Sequence, residues 1–553
     1  MQAGEYAQAI GQLSSVLQAD PKSAAAFRGL AYCHAKLGNW QKALMANLSC
    51  LGHDGNKVED LEMLLNIVAA SNLDSYVDLI EASLKVAMKH PQLVKQASVL
   101  LAVQFKAKYR AIFTSKTPSM LSSFASMLRD ESLRQLLKTA CKTDYTFENL
   151  LLTARYELLQ GAAVGHSIVD YRYFLSALVS QTLLNDGLYH TAEKDLLLLE
   201  QMKSNNTVEA VLLRMCYADF ATAMTLFESH KAELQASGLT ELVADFDFYV
   251  AVMANSQAGA AVKIKDKTSK AVQSFYQQHP YPKYKAIQSS SAGLKQIFTY
   301  LGKTMPTAPT VLIAGCGTGK HAIELAIMHP EMKMTAIDLS PVSIAYAQLM
   351  AKRFGLRNIE FKVLDILDIA SLEQSFDYIA CTGVLHHMKK PQLGLNALSA
   401  VLKADGVMNL SFYSKAARKG LASIKAKALT YLETKDVGVT PEGVRRWRSQ
   451  LSAEDRTSRW FSTGEFFALN GLYQQLFHPQ QSEYSAIELE SLLNAAELKF
   501  AWMPVSEPNM MRFKAAFAQY PVPEGGESLT YWNEFEKICP DYFFAQFQFF
   551  VLK

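Results

Sequence analysis

Cysteine is scarce in this chain and is nowhere paired. Seven are scattered through 553 residues, at 33, 50, 141, 216, 316, 381 and 539, never in C-x-x-C spacing. An odd, scattered set excludes a disulfide framework and a thiolate zinc site, and reads as reduced core thiols in a cytoplasmic protein. Charge of one sign is also lacking: 55 basic against 52 acidic residues leave a net +3. That balance carries no footprint for nucleic acid or another polyanion. No run of eighteen uncharged apolar residues occurs, and no basic n-region leads into an apolar h-region at the start. Neither a membrane span nor a secretory signal is therefore expected. What is present is an ordinary globular composition, 50% apolar and 19% charged, and a length that points to about three or four domains.

Glycine is concentrated at one place. "VLIAGCGTGKHAIELA", residues 311 to 326, puts Gly315, Gly317 and Gly319 between an apolar run and the start of a helical pattern. A dinucleotide turn needs G-x-G-x-x-G, and here the third glycine comes one residue early. A P-loop needs G-x-x-x-x-G-K-[ST], but Ala314 stands at its first position and His321 follows Lys320 where a hydroxyl is required. A G-x-G-x-G turn between strand and helix still lets backbone approach a ligand closely, without dedicated phosphate chemistry.

The first organised feature along the chain is a repeat. "GEYAQAI" (4 to 10) and "GNWQKAL" (38 to 44) place Gly4 and Gly38, Tyr6 and Trp40, and Ala9 and Ala43 each 34 residues apart, with Pro21 where a repeat would close its second helix. This resembles a tetratricopeptide pair. Small residues at Ala9, Ala31 and Ala43 let helices approach, and Tyr6, Phe27 and Trp40 fill the gaps. In this register the chain begins part-way through a repeat, so a start upstream or a partner over that edge is expected. Leu, Ala and Met stripes then continue in helical pattern to residue 254, and "NSQAGAAVKIKDKTSK" (255 to 270) reads as a linker.

Beyond the linker the periodicity changes to strands separated by helices. Strands are expected at 310–314, 333–338, 359–363, 377–381 and 406–411, a sixth at 499–503, and a last one in "AQFQFFVLK", apolar enough to lie between neighbours and close the sheet. That is a doubly wound α/β sheet, whose ligands sit beyond the carboxyl ends of the strands. Asp338 ends the second strand 19 residues beyond Gly319, where a carboxylate can accept both hydroxyls of a ribose. Asp365, one strand further out, can accept from an adenine amino group, with Asp368 close enough to exchange roles. Each aspartate could instead cap a helix, but Ser340 before Pro341 is the better cap and leaves Asp338 for the ligand.

Together "VLIAGCGTG", "AIDLS", "VLD" and "FDYIACTGVLHH" resemble motifs one to four of class I S-adenosylmethionine-dependent methyltransferases, over about 270 residues from "FYQQHPYPKY" (275 to 284) to the C-terminus. The whole chain is similar to a bacterial subfamily in which helical repeats precede this domain and whose substrate is a protein or peptide. "FENLLLTARYELL" (147 to 159), the "PYP" turn, "LLNAAELKF" and the terminal "WNEFEKICPDYFFAQFQFFVLK" fit that pattern. The resemblance implies an α plus α/β architecture: tetratricopeptide-like repeats at 1–54, a helical domain at 55–254, the linker at 255–270, and a Rossmann-like methyltransferase domain at 271–553 with a helical insertion at 414–498. It further implies S-adenosylmethionine as cofactor, held by Ala314, Gly315, Cys316, Gly317, Gly319, Asp338, Leu339, Asp365, Ile366 and Thr382, with Tyr276 or Tyr281 closing over it. One departure is that Ile313 stands where the family often has an acid two residues before the first glycine.

His386 and His387 follow strand four, where the reacting groups meet, and a neutral imidazole there can take a proton from an amine or hydroxyl. At least one of the two is expected to shape the loop instead. His478, in the insertion, joins them as a candidate. No Asn-Pro-Pro-Tyr follows strand four, which removes the signature of amide and DNA-amine methylation. The lysine-rich helix with Lys415, Arg418, Lys419, Lys425 and Lys427 reads as a solvated face. Methylation of a protein side chain recruited by the repeats is therefore expected, with an amine preferred. The alternatives are a small-molecule or glycan O-methyltransferase and a scaffold that binds the cofactor without turnover. No metal, nucleic acid or membrane partner is expected, and oligomeric state is left open.

Overall fold

The computed structural model describes residues 3–71, 77–90, 93–114, 121–139, 144–259, 264–287, 293–504, 518–522, 527–540 and 542–553. Two compact units emerge, Met1–Asp245 with Tyr284–Gln288, and Phe246–Lys283 with Ser289–Lys553.

Every regular element among the described residues of the first unit is helical. Its first helices, Ala3–Ala19, Ala24–Lys36, Trp40–Asp54 and Val58–Ala70, pack on one another in sequence order. Ala31 and Ala43 are fully buried, and a Cβ on Gly29 would lie 2.8 Å from Leu13, so the first two helices close to within the reach of small residues only. Tyr6 meets Tyr32 edge-on and Phe27 stacks on His53. Trp40 is half-buried. Cys50, Asp54 and Asp60 come close enough to share a cation, but the Arg28 guanidinium is already among them, with Nε on Asp60 at 2.6 Å and another nitrogen on Asp54. The helices that follow, from Val77–Ala87 to Phe220–Ala236, bury stripes of leucine and phenylalanine. A helix Thr240–Gly259 takes up the start of the stretch read as a linker; residues 260–263 of that stretch lie outside the described residues, and Lys267–Gln278 is the next helix.

The second unit is built on seven strands: β1 Thr310–Ala314, β2 Lys333–Asp338, β3 Ile359–Val363, β4 Phe376–Cys381, β5 Leu402–Tyr413, β6 Lys499–Trp502 and β7 Gln546–Leu552. Their order is β3-β2-β1-β4-β5-β7-β6. β1 to β5 pair in parallel, and β1 and β4 are buried along almost their whole length, as continuous Val, Ile and Leu runs require when helices cover both faces. β7 pairs antiparallel with β5 and β6, so the C-terminal strand inserts between two neighbours and β6 forms the edge. β5 is longer than its apolar run, because the polar Lys403–Asp405 segment is carried into the strand after Leu402 pairs with Phe376. The core around β5 and β7 is aromatic, with Trp532, Phe535, Phe547 and Phe549 fully buried.

The strand order reverses between β1 and β4. Connections that leave these two strands run in opposite directions and open a crevice beyond their carboxyl ends, which is where the glycine turn and the 382–388 segment lie.

Candidate functional site

The glycine turn is shaped by what presses on it. Gly315 has φ +73°, and a Cβ there would lie 2.3 Å from Val384, which leaves β4 across the crevice. Gly319, φ +83°, precedes the helix Lys320–Met328, and its Cβ would strike Ala347 at 2.6 Å. Only glycine fits either place. The N–H groups of Gly315 and Cys316 both donate to Ile337 O, at 2.8 and 2.9 Å, tying the turn to the end of β2 just after Ala314.

Asp338 lies at that end. Its Oδ2 accepts the N–H of Gly317 and its Oδ1 that of Ser340, both at 2.8 Å. A carboxylate has about four acceptor sites, so two remain for a pair of ribose hydroxyls. Burial raises its pKa, while the N–H groups of Ser340 and Gly317 pull it down. Ser340 caps the helix Pro341–Arg353 through the N–H of Ser343 with Pro341 in the first turn, so Asp338 is not needed as that cap. Asp365 is buried one strand over, where the N–H of Leu364 donates to Asp338 O. Its Oδ1 accepts the Leu367 N–H and caps the short 3-10 helix that begins at Ile366, so it holds a structural bond as well as facing the ligand end of the sheet. Cys316 is half-buried beside Asp338, and burial pushes its thiol well up. Thr382 is half-buried at the exit of β4, and Gly383 next to it donates to Ser411 Oγ at 2.7 Å.

The tyrosine-proline segment sits directly on this turn. The Tyr281 carbonyl would be 3.1 Å from a Cβ on Gly317, and Thr318 Oγ1 donates to Pro282 O at 2.6 Å. Gln273 donates to the Leu339 carbonyl at 2.8 Å. Tyr276, on the same helix, is raised well above the ordinary phenol value by burial, with Tyr413 and Asp338 adding to it. It therefore stands between the aspartate and a second cluster.

That cluster holds the three histidines. His387 and His478 lie with ring centroids 3.8 Å apart and their planes tilted by 34°, His386 lies 4.4 Å from His387, and Tyr413 stacks on His386 at 3.7 Å. Phe275 packs against His478 at 4.6 Å. All three imidazoles are buried, and burial is the main reason each stays neutral: His386 is lowered well below its usual value, with His387, Arg418 and His478 adding to it, His387 to about 4, and His478 to about 2. His386 packs tightly: its carbonyl accepts the Ser482 N–H at 2.9 Å, and the Ser411 backbone approaches its ring without closing a hydrogen bond.

Three contributors escape a reading by sequence. Tyr413 ends β5, and inspecting the residue after each strand would have found it had the strand been drawn to its true end. Arg418 corrects the solvated-face expectation: it is buried, lies 3.7 Å from the centre of the Tyr413 ring, and bonds Glu483 and Gln475, while Lys415 and Lys427 do pair at the surface. Gln480 carries no local signal, since it acts through its peptide, whose carbonyl lies 2.8 Å from His387 Nδ1 and whose N–H donates to His478 Nδ1 at 3.1 Å.

A nucleoside with an amino-acid tail fits the donor set of this end of the sheet. Asp338 can take the ribose, Asp365 the adenine amino group, and the glycine turn admits backbone-close contact; no cradle of lysine and hydroxyl for phosphate is present in the turn.

Residues 308–452 match the family described as a methyltransferase domain, and residues 1–44 match the tetratricopeptide repeat. An uncharacterized protein of Synechococcus sp. is 31% identical over 252 residues, 42% of this chain and 60% of that protein. The malonyl-[acyl-carrier protein] O-methyltransferase of Acetivibrio thermocellus is 35% identical over 103 residues, 19% of this chain and 35% of that enzyme. Among solved structures, PKMT2 from Rickettsia typhi in complex with AdoHcy aligns with a TM-score of 0.39 at 17% identity, covering 49% of this chain and 55% of that one. The chain thus spans less than two thirds of each of these relatives.

Proposed function

We propose that this chain, a tetratricopeptide-repeat region joined to a class I methyltransferase domain that takes S-adenosylmethionine, transfers a methyl group to a side chain of a protein recruited by the repeats. Bound S-adenosylmethionine supplies a methyl on a sulfonium already primed for displacement, so the domain's work is alignment and exclusion of water. Asp338 holds the ribose, Asp365 the adenine amino group, and Gly315, Cys316, Gly317 and Gly319 give the amino-acid portion close access to backbone. Tyr276 and Tyr281 close over the turn. The observation that carries this reading is Asp338, fixed by the N–H groups of Gly317 and Ser340 with acceptor sites to spare.

The repeats support a protein acceptor because stacked helix pairs offer extended concave surfaces. The six described cysteines are free thiols, which supports a reducing, cytoplasmic setting; Cys141 lies outside the described residues. Among those residues no helix is long and apolar enough to cross a membrane.

Incubating the full chain with radiolabelled S-adenosylmethionine and a lysate tests the reading. A labelled protein band supports it. Label confined to small molecules moves the assignment to a small-molecule or glycan O-methyltransferase. Tight cofactor binding with no label anywhere makes the chain a cofactor-binding scaffold.

A further inference from the structure

Four ring nitrogens in the histidine cluster are buried without a partner, both of His386 and the Nε2 of His387 and of His478, and a single peptide unit decides what the last two can offer. His387 Nδ1 lies 2.8 Å from the carbonyl oxygen of Gln480. An oxygen there only accepts, so Nδ1 carries the proton and Nε2 keeps its lone pair. The N–H of the same Gln480 donates to His478 Nδ1 at 3.1 Å, so in that ring the proton sits on Nε2. Neither Nε2 has a hydrogen-bond partner. The two ring planes are tilted by 34° with their centroids 3.8 Å apart, and neither Nε2 bonds the other.

We propose that His387 and His478 together hold a phenolic hydroxyl as the methyl acceptor, Nε2 of His387 taking its proton and the Nε2–H of His478 donating to its oxygen, with Gln480 as the positioning residue for both. The assignment rests on methyl transfer by this domain. A hydroxyl offers one proton and two lone pairs: the proton goes to His387, one lone pair accepts from His478, and the other is left to attack. A primary amine that attacks through its one lone pair has none left for His478, and an ammonium has none at all. The amine expected from the repeats is therefore not what this pair fits.

A phenol fits better than an aliphatic alcohol for two reasons. Burial holds His387 down to about 4, and a phenol at about 10 is far closer to it than an alcohol, near water's value of about 15.7. The surroundings are also aromatic faces: Phe275 and Tyr276 lie 4.6 and 5.5 Å from His478, and Tyr413 stacks on His386. In the transfer the oxygen lone pair forms the new O–CH3 bond. The carbon–sulfur bond breaks with its electron pair passing to sulfur, leaving a neutral thioether. The hydroxyl proton moves to His387 Nε2 and passes to solvent after the product leaves.

The test is a 15N-histidine spectrum of the full chain with S-adenosylhomocysteine bound, assigned by the resonances lost in His387→Gln and His478→Gln. The expected result is His387 protonated at Nδ1 and His478 at Nε2, with p-cresol shifting both Nε2 resonances and n-butylamine neither. His387 protonated at Nε2, or an equal response to n-butylamine, overturns the proposal. Where a variant does not fold, the unaltered chain with labelled S-adenosylmethionine is offered p-cresol, a tyrosyl peptide and a lysyl peptide. Transfer to the tyrosyl peptide assigns a protein tyrosine, and transfer to p-cresol alone assigns a free phenol; either supports the pair. Where His387→Gln does fold, it lowers that transfer by about 10² to 10⁴-fold while S-adenosylhomocysteine affinity stays the same. Transfer to the lysyl peptide alone refutes the hydroxyl assignment. No transfer to any acceptor, with the tautomers as assigned, overturns methyl transfer itself, because the spectra need no turnover.

Discussion

Replacing Asp338 is the sharpest perturbation of the cofactor end. In the folded chain its two oxygens each hold one backbone N–H at 2.8 Å, and the proposed function gives its remaining acceptor sites to a ribose. Asp338→Ala removes the charge-assisted bonds to the ribose, worth about 1.5 to 3 kcal/mol after exchange with water. At about 1.4 kcal/mol per tenfold, S-adenosylhomocysteine should bind roughly 10 to 150-fold more weakly. The same change strands the N–H groups of Gly317 and Ser340, so the melting temperature should also fall. Titration calorimetry measures the first effect and a thermal melt the second. Asp338→Asn keeps the shape, loses the charge and should fall between the two. The pH dependence has a definite sign: burial raises Asp338 above its ordinary 3.8, and the ribose bonds favour the carboxylate. Affinity is therefore full above the folded-state value and declines as pH falls through it, earlier than for an exposed aspartate. Equal affinity in Asp338→Ala and the parent, in a chain that still melts cooperatively, would refute the argument and remove Asp338 from the site.

Three further outcomes are expected. Adding S-adenosylhomocysteine should protect the amides of 275–284 from hydrogen exchange, because Tyr281 and Pro282 sit on the Gly317–Thr318 turn; unchanged exchange there would leave the segment a rigid strap. Gly315→Ala should destabilise the domain by a positive-φ strain of about 1 to 3 kcal/mol plus its clash with Val384. A melt of the double variant with Val384→Ala should recover only the clash, and complete recovery would show that the backbone is not strained. Glu536, beside Ser414, is held up to about 7 by burial, so between about 4.5 and 7 the folded chain binds more protons than the unfolded one. Stability from this group is present below 4.5 and lost as pH rises through 7. Glu536→Gln should flatten that slope, and an unaltered slope would place its origin elsewhere.

What the sequence determined by itself was whatever repeats or alternates over a short span. The 34-residue register of Gly4 and Gly38, the apolar runs of β1, β2 and β4, the G-x-G-x-G turn, and the Ser340–Pro341 start that leaves Asp338 free all depend on neighbours a few positions apart. Local steric and hydrogen-bonding preferences decide those. Tertiary structure decided what depends on neighbours far along the chain. The antiparallel entry of β7 between β5 and β6 follows from pairing of Met408 with Val551 and Lys499 with Leu552, which no periodicity encodes. Arg418 sits in a run that reads as solvated, yet it is buried because Glu483, Gln475 and the Tyr413 ring converge on it. His387 and His478 became a pair because the insertion folds back over the end of the sheet and places one peptide, Gln480, between them. A backbone N–H and C=O are the same at every residue, so only the fold could assign one proton to each ring and fix which nitrogen was left to act.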